Sequence, residues 1–160
     1  MPNFVDNKTL TASLSLWVTE RTKAIEEDIP VPPIPEYVAE CALLMAQKLS
    51  SKAGFVSYTF KDDMVGEGVL CFLKYAHNFN PEKSQNAFAY TTQILHNAFI
   101  RYITNEKKQT YTKALIVADN PRLFSHLQET GTDIIESYER RLENKRQVTA
   151  ARNNKKKEAA

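Results

Sequence analysis

The sequence predicts an all-α fold, and three observations carry that reading. Glycine and proline are scarce, 4 and 7 in 160 residues, and long stretches contain neither. Apolar residues recur at three- and four-residue spacing in several separate segments, which is the period of one helical face. Four of the seven prolines are gathered in Asp28-Ile29-Pro30-Val31-Pro32-Pro33-Ile34-Pro35, which leaves few breakers for the rest of the chain.

The first element expected is a short amphipathic helix from Asn7 to Glu26, with Leu10, Leu14, Trp17 and Val18 at helical spacing. The proline run that follows cannot be helix: it removes backbone donors and pushes each preceding residue toward extended conformations, giving a stiff connector. A second helix is predicted over Glu36 to Lys52, with Val38, Cys41, Ala42, Met45 and Leu49 on one stripe and Ala53-Gly54 as its stop. Thr59 is the expected cap of a third helix, with Asp62 and Asp63 placed against its N-terminal dipole, running to about His77. Asn78 to Asn86 reads as a loop from its Asn, Pro and Ser content.

A long fourth helix is expected from Ala87 to roughly Lys108, its apolar pattern fading beyond Asn105. Tyr111 to Asp119 is ambiguous, and Asn120-Pro121 marks a break. Thr132-Asp133 can cap a last helix through Ile134, Ile135, Tyr138 and Leu142, after which the Ala/Asn/Lys-rich end from about Val148 is expected to be disordered. The organisation expected is an N-terminal extension over 1–30, a central domain over 31–113, and a C-terminal helix with a basic tail over 114–160.

Composition excludes several function classes. A formal net charge of +2 gives no overall bias toward nucleic acid, but residues 139–160 hold 8 Lys/Arg against 3 Glu. Such a segment serves either as a solubilising tail or as a salt-sensitive contact for phosphates. Cys41 and Cys71 sit in apolar helical runs and read as buried thiols of a reducing compartment. No apolar run has the length of a membrane span and the N-terminus is polar, so an intracellular protein without a membrane partner is expected.

His77, His96 and His126 are scattered without acidic or thiol partners at ligand spacing, so no metal site is expected. Gly66-Glu67-Gly68 lies within a helix and lacks the preceding strand that a phosphate-binding loop needs. Asp62, Asp63 and Glu67 have no basic or nucleophilic companion and read as a solvated acidic face rather than a catalytic pair. No catalytic residue and no cofactor are expected; this is not the sequence of an enzyme.

Two faces invite a more specific reading. Asp63, Gly66, Glu67, Leu70 and Leu73 or Lys74 recur at three- and four-residue spacing and so line one strip. Two glycines within a helix cost about 1 kcal/mol each relative to alanine. Either another backbone approaches this helix closely, or Gly68 lets two helices of the same fold pack while Gly66 is incidental.

On the helix from Ala87, Phe88, Leu95, Ala98, Phe99 and Tyr102 mark a core stripe. Gln93, His96 or Asn97, Arg101, Thr104 and Lys107 or Lys108 mark a polar one. Asn and Gln can pair with adenine edges while Arg and Lys hold phosphates. Phe79 and Tyr90, flanking a loop with Lys83 and Asn86, are able to stack on unpaired bases. The plainer alternative is an ordinary amphipathic helix whose aromatics belong to the core.

Taken together, these segments resemble region 2 of the bacterial sigma-70 family, and more closely the late-transcription sigma factors of T4-type bacteriophages. The likeness runs without a gap from Asp63 to Ile103. Asp63-x-x-x-Glu67-Gly68, Leu73-Lys74 and Asn78-Phe79 resemble the polymerase-binding segment; Ala89-Tyr90-Thr91-Thr92-Gln93 through Arg101 resembles the segment that melts and reads the promoter −10 element. Asn3-Phe4-Val5-Asp6-Asn7-Lys8 and Trp17 resemble the phage branch.

The resemblance implies that Asp63, Gly66, Glu67, Leu70 and Leu73 contact the β′ coiled coil of host core RNA polymerase. It implies that Asn97 and Arg101 meet the upstream edge of −10 promoter DNA. Phe79, Lys83, Asn86 and Tyr90 would hold the displaced strand, with Gln93, Thr104 and Lys108 completing the DNA face. Ile100 occupies a reading position without a hydrogen-bonding group.

The implied setting is the host bacterial cytoplasm, with a phage co-activator and the sliding clamp as further partners. Housekeeping relatives carry two tryptophans where this chain has Gln93 and Ile94, which shifts melting toward the polymerase, an activator or a very AT-rich site. Nothing beyond Asn105 resembles the helix-turn-helix that reads the −35 element. The polar Asn153 to Ala160 end lacks the apolar clamp motif of phage relatives, leaving Leu123-Phe124 as another surface for it. The rival readings are an autonomous DNA-binding regulator, a polymerase-binding adaptor or inhibitor without promoter recognition, and a helical structural protein.

Overall fold

The computed structural model describes residues 5–120 and 128–158, and within them the protein is all-α with no strand. Asn3, Phe4, Pro121, the Leu123-Phe124 pair and His126 lie outside the described residues. Five helices follow in order: α1 (Asn7–Glu26), α2 (Glu36–Ser50), α3 (Lys61–Tyr75) continued by a 3₁₀ turn (Ala76–Asn78), α4 (Ala87–Asp119) and α5 (Gln128–Glu158). The chain divides into two compact units, 1–103 and 104–160.

The first unit is built around one core. Leu10, Leu14 and Trp17 of α1 meet Val38, Cys41, Ala42, Met45 and Leu49 of α2, the stripes that the spacing predicts. Met64, Val65 and Phe72 of α3, Phe79, and Leu95, Phe99 and Ile103 of α4 close it from the other side. At Gly68, α3 packs directly against side chains of α4. A Cβ there would lie 2.6 Å from Cε1 of Phe99, whereas a Cβ at Gly66 would meet nothing within 4 Å. The internal-packing reading of Gly68 is therefore the correct one, and Gly66 stands on an open face.

Helix ends explain how the connections hold. Asp6 caps α1, its Oδ2 accepting from the Thr9 amide at 2.9 Å and from the Thr9 hydroxyl at 2.6 Å. These bonds, the hydroxyl one foremost, hold the Asp6 carboxyl below its ordinary value. At the other end, Asp28 sits at φ 52°, with its amide donating to Ile25 O and the Ile29 amide to Ala24 O. This is the paired closure that usually takes glycine in the left-handed position. Asp28→Gly is accordingly expected to raise stability by up to about 1 kcal/mol, read as a higher thermal midpoint. The indole Nε1 of Trp17 donates to Pro32 O at 3.1 Å, pinning the proline connector against α1.

The start of α4 is capped from a distance. Its first amides, on Ala87 and Phe88, donate to Thr11 Oγ1 (3.1 Å) and Asn7 Oδ1 (3.0 Å) of α1, and the Ala89 amide donates to Asn86 Oδ1 at 2.9 Å. Three otherwise unpaired donors of a helix terminus are thus satisfied, two of them by another helix.

Several expectations need correction. Thr59 caps nothing: α3 begins at Lys61 after Phe60, with no side-chain cap. Phe88, expected in the core, is 42% exposed. α4 does not end near Lys108 but continues through the ambiguous stretch to Asp119. α5 begins at Gln128, so Thr132 and Asp133 lie inside it rather than at its cap, and it extends past Val148 to Glu158 where disorder is expected.

In the second unit, α5 meets the end of α4 through a stacked Tyr111–Tyr138 pair with ring centroids 4.5 Å apart. Gly131 there faces Val117 and Ala114. The turns of α5 from Glu139 to Arg152 are exposed throughout.

Candidate functional site

Two surfaces of the first unit carry the predicted residues other than Thr104 and Lys108. On α3, Asp63 and Gly66 are exposed, Glu67 is half-buried, and Leu70 and Leu73 are 59% and 37% exposed. Their three- and four-residue spacing sets them on one side of the helix, opposite the buried Met64, Gly68, Cys71 and Phe72. The strip is acidic at its start, ends in two uncovered leucines and has a glycine open to solvent between them.

On α4, the first turns carry the second surface. Gln93 and Asn97 are exposed and paired, Gln93 Nε2 donating to Asn97 Oδ1 at 2.9 Å. Arg101 is exposed and joined to α3, its Nη2 donating to Glu67 Oε1 at 2.9 Å. Ile100 lies beside them, also exposed. Thr104 and Lys108 are exposed on the stretch of α4 that belongs to the second unit.

The aromatic pair is arranged differently from a double stacking platform. Phe79 is 2% exposed and packs under Tyr90, ring centroids 5.2 Å apart and inclined by 55°. Its ring supports Tyr90 instead of offering a surface. Tyr90 is half-buried, and its hydroxyl donates to Tyr75 O at 2.7 Å, so both ends of the ring are fixed. Burial pushes the Tyr90 phenol above its ordinary value, keeping it a neutral donor. Lys83 is exposed in a loop closed by Asn80, whose Oδ1 accepts from the Glu82 and Lys83 amides. Asn86 is exposed, but its side-chain oxygen is engaged in capping α4.

A concave feature on the other side of α4 goes unpredicted by the helical spacing. A cavity of about 390 Å³ is lined by Val5, Leu44, Met45, Leu49, Phe88 and Leu95, with Lys48 and Lys52 at its edge. Its signal in the sequence is Leu44 beside the stripe of α2, together with Phe88. Among the described residues no three His, Cys, Asp or Glu side chains gather as a metal site, and no helix is long and apolar enough to cross a membrane.

Residues 56–109 match the family model for sigma-70 region 2. The matched stretch, about a third of the chain, contains α3 with its acidic strip, the loop from Phe79 to Asn86, and α4 as far as Gln109. Sigma-70 region 2 is a helical, non-enzymatic domain of transcription initiation factors, and in general implies binding to core RNA polymerase and recognition of the promoter −10 element. No curated protein matches the chain.

Proposed function

We propose that the chain is a sigma factor of the T4-type late-transcription kind, which binds host core RNA polymerase and directs it to short AT-rich −10-type promoters. The observation that carries this reading is the coincidence of the sigma-70 region 2 match with both exposed strips, on α3 and on the first turns of α4.

In this reading, Asp63, Gly66, Glu67, Leu70 and Leu73 dock on the β′ coiled coil. Gly66 has open space around it, which lets a partner helix come close; Leu70 and Leu73 supply apolar area that docking removes from water. On α4, Asn97 and Arg101 meet the upstream edge of the −10 duplex, with Gln93, Thr104 and Lys108 along the same helix. Lys83 and Asn86 border the path of the displaced strand.

Tyr90 receives an unstacked base. Its hydroxyl is tied to Tyr75 O and its back is packed on Phe79, so the ring is held in place before DNA arrives and loses little freedom on stacking. With Gln93 and Ile94 where housekeeping relatives carry tryptophans, strand opening falls to the polymerase, to a co-activator or to easily unstacked AT-rich steps. The bond-making chemistry is that of the polymerase. Coupling to a sliding clamp would use Leu123-Phe124, outside the described residues.

The rival reading of an autonomous duplex-binding regulator is disfavoured by how the polar face of α4 is occupied. Arg101 is paired with Glu67 and Gln93 with Asn97, so these groups are turned to each other in the free protein.

The test is transcription from a template bearing an AT-rich −10 element, with host core RNA polymerase and this protein as the sole specificity factor. Tyr90→Ala is expected to lower promoter-dependent initiation by about 5- to 150-fold, the range for losing one base–aromatic stack worth about 1–3 kcal/mol. Core binding should stay at the wild-type level. A polymerase adaptor would not respond to the substitution at all, and that outcome would remove the promoter-reading half of the proposal.

A further inference from the structure

Helix α5 keeps its charges on two sides. At 100° per residue, Arg141, Lys145 and Arg152 fall on one side, four and then seven residues apart, with Val148 between the last two. Glu136, Glu139 and Glu143 fall on the opposite side, about half a turn away. Arg140 and Arg146 are placed differently: each stands three residues from Glu143, where a carboxylate on the same helix can reach it. Arg141, Lys145 and Arg152 have no carboxylate three or four residues away, and no ion pair among the described residues engages them. All three are exposed, as α4 meets α5 earlier in the helix, at Gly131 and Tyr138. Like charges four residues apart, as in Arg141 and Lys145, work against a helix unless an anion comes between them.

We infer that this row is a phosphate-contacting face for duplex DNA, one that binds without reading sequence. The inference goes beyond the sigma reading and does not depend on it, since α5 lies outside the stretch that matches sigma-70 region 2. From Arg141 to Arg152 the row runs about 16 Å along the helix. A duplex offers roughly one charge per 1.7 Å of its axis, held in fixed geometry. Guanidinium forks match phosphate oxygens well, and the carboxylates across the helix admit a polyanion on one side only.

Other anionic partners fit less well. Single-stranded nucleic acid is held by aromatic platforms, and the turns from Glu139 to Arg152 carry no aromatic residue; Tyr138, just before them, is stacked on Tyr111. A lipid surface needs an apolar stripe opposite the cations, and here carboxylates stand there. Phosphate contacts position a protein on the duplex and carry no sequence information, so the row supplies anchorage alone.

The test is binding of the full chain to a 30-base-pair duplex between 50 and 200 mM salt. Three phosphate contacts give the wild type a fall in affinity of about 40-fold over that range. Arg141→Gln/Lys145→Gln removes two of them, so the fall should shrink to about 3- to 4-fold, with weaker binding at each salt concentration. Arg140→Gln/Arg146→Gln removes the same charge from the same turns, yet its salt dependence should stay close to that of the wild type. Equal loss in the two variants would mean that net charge alone attracts DNA, and would overturn the row. It would also be overturned by absence of duplex binding at 50 mM, or by tighter binding to a single strand of the same length. Glutamine is nearly as good a helix former as arginine, so α5 should persist in both variants, which circular dichroism checks. None of these results bears on the sigma reading, which is decided by binding to core polymerase.

Discussion

Glu67→Arg is expected to weaken binding to host core RNA polymerase by more than about 30-fold, the loss that marks a central interface residue at about 2 kcal/mol or more. Glu67 stands at the middle of the strip, between Asp63 and Gly66 on one side and Leu70 and Leu73 on the other. Reversing its charge removes the anion offered to the partner. It also places a second cation beside Arg101, whose guanidinium lies 2.9 Å from the carboxylate that would be lost. Both effects oppose docking on a surface that otherwise presents acid and leucine. The fold should lose little, because an exposed ion pair of this kind contributes about 0–1 kcal/mol. Titration of labelled protein with core polymerase, beside a thermal melt, separates the two quantities. A variant that binds like wild type would place the docking surface somewhere other than α3.

Gly68→Ala carries the largest expected effect on stability. The added Cβ would sit 2.6 Å from Phe99 Cε1, 3.2 Å from Cδ1 and 3.3 Å from Leu95 Cδ2. Phe99 has no room to yield: it is fully buried and meets Phe55 edge-on at 5.3 Å. Overpacking of this kind costs about 1–3 kcal/mol, which outweighs the gain of up to about 1 kcal/mol in helix propensity. Set against about 4–8 °C per kcal/mol for a unit of this size, a fall of several degrees or more in thermal midpoint is expected. Gly66→Ala is the internal control. Its Cβ would enter open space, so only the propensity term applies and the midpoint should rise. In the proposed complex the same methyl stands in the way of a partner backbone, so tighter folding would accompany weaker polymerase binding.

The contrast between those two glycines marks what could be read from the sequence. Spacing alone placed both on α3 and identified the cost of each, but it could not say which faced inward, since that depends on where Phe99 comes to rest. The stripes of α1 and α2 were legible because each is a repeat of apolar residues within a few turns, and the core uses Leu10, Leu14, Trp17, Val38, Cys41, Ala42, Met45 and Leu49 as that repeat predicts. Helix ends were less so. Thr59 has the right chemistry for a cap but lies one residue too early, and two of the three side-chain caps of α4 come from Asn7 and Thr11, 81 and 76 positions away from the amides whose bonds they accept. No local pattern contains that information.

Aromatic residues were the least legible of the site. Phe79 and Phe88 have the same side chain, yet the first is buried beneath Tyr90 and the second is exposed and lines a cavity. Which one goes inside is decided by the 3₁₀ turn after α3 and by the capping of α4 against α1. The extension of α4 to Asp119 and the early start of α5 were hidden for a related reason. Tyr111 stacks on Tyr138 and Gly131 sits against Ala114, contacts between segments that are each weakly apolar on their own. The Glu67–Arg101 pair joins two strips that the sequence presented as separate, 34 positions apart.

The measurement that tests the central claim most directly is competition for host core RNA polymerase between this protein, labelled, and the housekeeping sigma factor. The account predicts that the two displace each other and that Glu67→Arg fails to compete, because both factors take the same β′ site. Binding that ignores the housekeeping factor, or no binding at all, would contradict it.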